Sequence, residues 1–65
     1  MVVFETVSGS VYLLDTDKRL VSGGSLPHPC TYTGTPNVII GEKAIIKLNN
    51  GCVLKTSVVV ASRIG

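Results

Sequence analysis

The sequence predicts an all-β fold: a small antiparallel β-barrel or curved sheet of five to six short strands, assembled into a homo-oligomer. Three observations predict it. Val, Ile and Thr make up about a third of the 65 residues, and β-branched side chains favour strands. Gly, Pro, Ser and Asn recur at intervals too short for helices. In residues 43 to 48 every second side chain, Ala44, Ile46 and Leu48, is apolar and both lysines fall on the alternate positions, the period of two that a half-buried strand requires.

Taken in order, Val2 to Val7 reads as the first strand, ended by Ser8-Gly9. Ser10 to Asp15 is the second. Asp15-Thr16-Asp17-Lys18 is a turn, because an Asp side chain caps backbone amides two residues on. Arg19 to Ser22 returns as a third strand, with Asp15 and Arg19 expected to face each other across the turn. Residues 23 to 37, GGSLPHPCTYTGTPN, read as a long irregular loop, since three prolines argue against the interior of a sheet. Loops of that length are usually functional.

Asn37 to Ile40, Lys43 to Leu48, Cys52 to Ser57 and Val58 to Ile64 supply the remaining strands. The turn at Asn49-Asn50-Gly51 fixes a register. A three-residue loop pairs Leu48 with Cys52, Ile46 with Leu54 and Ala44 with Thr56, which gathers the apolar set on one face. Gly51 then takes the left-handed position. Lys43, Ile45 and Lys47 share the other face with Val53, Lys55 and Ser57. Val58 to Ala61 is apolar on both sides, a pattern that calls for cover on both faces. In so short a chain the second cover is expected from another subunit.

Composition narrows the function classes. The chain makes a single domain, residues 1 to 65, with a marginal core, because small domains bury a smaller fraction of their surface. Aromatics are 5% and Trp is absent, so the core is aliphatic. The net charge of +2 is concentrated in the C-terminal half, where Lys43, Lys47, Lys55 and Arg63 stand against Glu42 alone. Four cations are fewer than most duplex-DNA binders use. Two cysteines are too few for a secreted disulfide scaffold. There is no signal-peptide pattern, and no apolar run approaches the ~20 residues that span a bilayer. The expectation is a whole small cytoplasmic protein with reduced thiols and no membrane association.

Two site candidates emerge. The first is the basic face of Lys43, Lys47 and Lys55, with Arg63 as a possible fourth member. It is either an anion site or a solvated face that guards a sheet edge. The second is the loop with His28, Cys30 and Tyr32, either a ligand lid or a packed connection. There, Tyr32 is suited to stack on a base and His28 to donate to a phosphate. A structural metal needs four ligands, and His28-Pro29-Cys30 lacks the spacing, so no metal and no cofactor are expected. One His, no paired carboxylates and no phosphate loop before a helix argue against an enzyme.

Three short pieces carry a resemblance: Ser8-Gly9-Ser10-Val11-Tyr12, Asp15 with Lys18-Arg19, and Thr56-Ser57 followed by Val59. In that order they resemble small accessory proteins of bacteriophages, especially of actinobacterial hosts, to which no activity is assigned. The resemblance covers about half of the chain, and Val58 stands where those proteins have Pro. It implies a phage-type accessory protein acting in the host cytoplasm. Among such proteins, one class sequesters cyclic-nucleotide signals of antiphage defence without catalysis.

The leading expectation is therefore a non-catalytic anti-defence protein that sequesters a small anionic ligand, such as a cyclic nucleotide, between subunits. Lys47, Lys55, Arg63 and Lys43 would meet phosphates, with Tyr32 and His28 completing the site. The alternatives are a protein-protein inhibitor of a host factor and a small nucleic-acid-binding barrel.

Overall fold

The computed structural model describes residues 1–65 and consists of strands alone. They are β1 (Val2–Thr6), β2 (Val11–Asp15), β3 (Leu20–Gly23), β4 (Cys30–Asn37), β5 (Lys43–Leu48) and β6 (Val53–Ile64). Each pairs antiparallel with the next, and β6 pairs back onto β1, so the six strands close into a ring. Closure leaves no free sheet edge. It also brings the chain ends together, with the Met1 amino group donating to the Gly65 carbonyl at 3.0 Å.

The ring works because β1, β2 and β5 put alternate residues inward, while β3, β4 and β6 add Val21, Tyr32 and Val59. Phe4, Tyr12, Leu14, Val21, Tyr32, Ala44, Ile46, Leu48 and Val59 form the core. Phe4 and Tyr12 face each other across β1 and β2 and stack with centroids 5.1 Å apart. Their partners are mostly aliphatic, as the composition requires.

The β5–β6 hairpin has the predicted register. Ile46 lies opposite Leu54, Lys47 opposite Val53 and Ile45 opposite Lys55, and the Leu48 amide donates to the Cys52 carbonyl at 2.8 Å. The three-residue loop is closed by Gly51, whose φ of 87° is the left-handed conformation the turn needs. Towards Lys43 the register shifts, so that Lys43 pairs with Val58. The bulge leaves the Ala44 amide without a backbone acceptor in register. The buried Thr56 hydroxyl accepts from it at 3.1 Å and donates to the Ser57 carbonyl at 2.8 Å.

Four expectations are corrected. The stretch 23 to 37 is not one long loop: Cys30–Asn37 is β4, and Tyr32 is 3% exposed in the core rather than on a lid. Conversely, Asn37 to Ile40 is not a separate strand, since pairing ends at Asn37. Cys52 to Ser57 and Val58 to Ile64 are not two strands but the single twelve-residue β6. Arg19 does not face Asp15, which lies opposite Leu20. Asp15 Oδ1 instead accepts from the amides of Asp17 and Lys18, each at 3.1 Å.

The same corner explains how β4 tolerates Pro36. Arg19 sits in the left-handed region with φ 55°. Its carbonyl accepts from the Tyr32 amide at 3.0 Å, its guanidinium lies 5.1 Å from the Tyr32 ring centroid, and a guanidinium nitrogen donates to the Gly34 carbonyl at 2.6 Å. Pairing of β4 with β5 breaks between Thr33 and Asn37, around Gly34 with φ 72°. Proline costs nothing where the ladder is already broken. Arg19 satisfies the Gly34 carbonyl that the break would leave unpaired.

Candidate functional site: a lysine face on strands β5 and β6

Inward residues of β5 are buried, so Lys43, Ile45 and Lys47 must point outward. The first half of β6 adds Val53 and Lys55 to the same outer surface, and β4 adds Thr33 opposite Lys47 and Asn37 opposite Ile45. Lys55 is one diagonal step from Lys47 and, across the bulge, one from Lys43. Diagonal neighbours in an antiparallel pair lie about 7–8 Å apart. Lysine side chains span that gap, so two ammonium groups can converge on one phosphate. No outward residue of this face is a carboxylate. Between the lysines, Ile45 and Val53 are 40% and 49% exposed, which gives the face an apolar centre.

The other predicted site residues lie elsewhere. Arg63 pairs with Val3 near the far end of β6. Seven residues of β6 lie between it and Lys55, at most about 26 Å along the strand, and Arg63 pairs with β1 whereas Lys55 pairs with β5. It cannot share a small ligand with Lys55. Tyr32 is removed from the site by burial. His28 is exposed in the β3–β4 connection and lines a shallow cleft with Leu20, Cys30, Thr31 and Asn50. None of the surface clefts is lined by a lysine, so the lysine face of a single chain encloses nothing.

The His28 cleft is poorly arranged for nucleophilic chemistry. His28 Nδ1 lies 3.1 Å from the Pro29 carbonyl oxygen. The Cys30 sulfur is 3.9 Å away and donates to the His28 carbonyl at 3.5 Å. No carboxylate lines the cleft to orient the ring. Both cysteines are free thiols, and no group of three or more His, Cys, Asp and Glu side chains comes together to hold a metal.

Sequence reasoning missed Asn49. Its side chain donates to the Thr31 hydroxyl at 2.8 Å and its amide to the Thr31 carbonyl at 3.1 Å, tying the β5–β6 turn to β4. The signal was an Asn at a turn, which usually serves its own loop; only the fold of β4 supplies the second partner. No helix of the protein is long and apolar enough to cross a membrane. No protein-family model, curated protein or solved structure matches the chain.

Proposed function

We propose that the protein is a non-catalytic, homo-oligomeric β-barrel binder that sequesters a small anionic ligand, of the cyclic-nucleotide class, against the lysine face of β5 and β6. The observation that carries this reading is the grouping of Lys43, Lys47 and Lys55 around Ile45 and Val53, with no carboxylate among them. Phosphates meet the ammonium groups, and the flat apolar part of a nucleotide packs on Ile45 and Val53. A single flat face does not enclose a small molecule. A second copy laid over the same face supplies the other wall. Without an anion the facing lysines repel, and with one they are bridged. Function as a phage-type anti-defence protein in a host cytoplasm follows as the setting of this chemistry.

The test is calorimetric titration with a panel of cyclic di- and trinucleotides at micromolar protein. The expected result is binding of at least one of them at about one ligand per two chains. The K47A/K55A variant should bind at least about tenfold more weakly, as two lost charge-assisted contacts imply. No heat with any member of the panel removes the proposal.

A second reading, a protein-protein inhibitor of a host factor, is favoured by a separate cluster. Val7, Ile39, Ile40 and Val60 are all exposed, from 47% to 69%. They are brought together where Val7 and Gly41 donate to the carbonyls of Val58 and Val59. A stoichiometric protein partner recovered from host lysate, lost in the I40S variant, supports that reading in place of the first.

A further inference from the structure

The outward surface of β1, β2 and the second half of β6 carries a different pattern. Pairing fixes it as two rows across three strands: Leu13–Val3–Arg63 and Val11–Glu5–Ala61. Val11 and Leu13 are 46% and 38% exposed, so an aliphatic surface faces water. Glu5 and Arg63 sit on the diagonal of this grid, flanking Val3 and Ala61, and line one shallow groove of about 330 Å³. Neither of their charged groups makes a hydrogen bond within the chain, whereas the other arginine, Arg19, uses its own on Gly34.

The geometry points to this surface as a two-fold interface between copies of the chain, sealed by reciprocal Glu5–Arg63 pairs. A two-fold axis lying in the plane of the face, perpendicular to the Glu5–Arg63 diagonal, exchanges the two charged positions. Glu5 of one copy then meets Arg63 of the other, twice. The same axis runs close to Val3, Leu13 and Ala61, so these meet their own counterparts at the centre. An isologous interface requires such self-complementarity, and here the axis that pairs the charges also passes beside the apolar positions, so both requirements are met at once. Opposite charges also orient the approach of the copies and fix their register. The lysine face cannot serve this role, because superposing it on itself opposes like charges. This contact needs no ligand and is independent of anion binding on β5 and β6.

Sedimentation velocity of the ligand-free protein over a micromolar to millimolar range tests it. The expected result is a concentration-dependent monomer–dimer equilibrium. E5R and R63E, each opposing like charges at the pair, should each weaken dimerisation by about tenfold or more. The E5R/R63E double variant, which restores opposite charges, should recover most of the loss. Both charged residues are exposed, and circular dichroism confirms that each variant is folded. A monomer at every concentration, or a double variant no better than either single one, overturns the proposal.

Discussion

Two outer faces of one ring differ in what they place between their aliphatic residues. On β5 and the start of β6, Ile45 and Val53 are separated by Lys43, Lys47 and Lys55. On β1, β2 and the end of β6, the aliphatic residues surround one acid and one base, Glu5 and Arg63. The backbone chemistry is the same, and β6 contributes to both. As proposed, the first face takes a second copy only with an anion between them, while the second complements its own copy directly. A chain with so small a core can thus divide its surplus apolar surface between two tasks, with charge alone deciding which is which.

The sharpest way to break this comparison is to remove what the two faces share. Ile46 is fully buried directly behind the lysine face. I46A should destabilise the fold by about 3 kcal/mol, a large share of the total for a domain of this size. Thermal unfolding should then abolish anion binding and dimerisation together. If one face keeps its activity at a temperature where the other has lost it, the faces are not carried by one cooperative unit. By contrast, I45A on the outward side should leave the melting temperature within about 2 °C, since exposed positions cost little.

A smaller effect is expected at the corner that holds β4. R19A removes the contact with the Tyr32 ring and the donor to Gly34, and it keeps the backbone cost of a left-handed residue because Ala also carries a Cβ. The net loss should be about 1 kcal/mol, a fall of roughly 5 °C in melting temperature. Binding on the lysine face should weaken alongside, because Thr33 and Asn37 of β4 flank it. The contact between copies through Glu5 and Arg63 should not change. R19G, which relieves the backbone cost while losing the same contacts, should be close to R19A in binding and slightly more stable than it if backbone strain dominates.

What the sequence made legible follows the strength of local constraint. The β5–β6 register was readable because a slip of one residue would move Ala44, Ile46 and Leu48 to the outside. The lysine face came with it. β4 was hidden because Gly34 and Pro36 read as breakers, yet Cys30 and Tyr32 alternate with Thr31 and Thr33 as a strand should. The missing information was that Arg19, a residue with no special tendency towards positive φ, stabilises the break from fifteen positions away. For the same reason Tyr32 reads as a ligand residue in the sequence: without β4, nothing puts its ring into the core. Charge summed over the C-terminal half places Arg63 with the lysines. Only β6 as one long strand, running from β5 to β1, separates Arg63 from Lys55.

The most direct test of the account is a nuclear magnetic resonance titration of the uniformly labelled protein with the cyclic nucleotide that gives the largest calorimetric response. The account predicts amide shift changes concentrated at Lys43, Ile45, Lys47, Val53 and Lys55, with Val3, Glu5 and Leu13 unmoved. Changes confined to the His28, Cys30 and Asn50 cleft, or centred on Glu5 and Arg63, would contradict it.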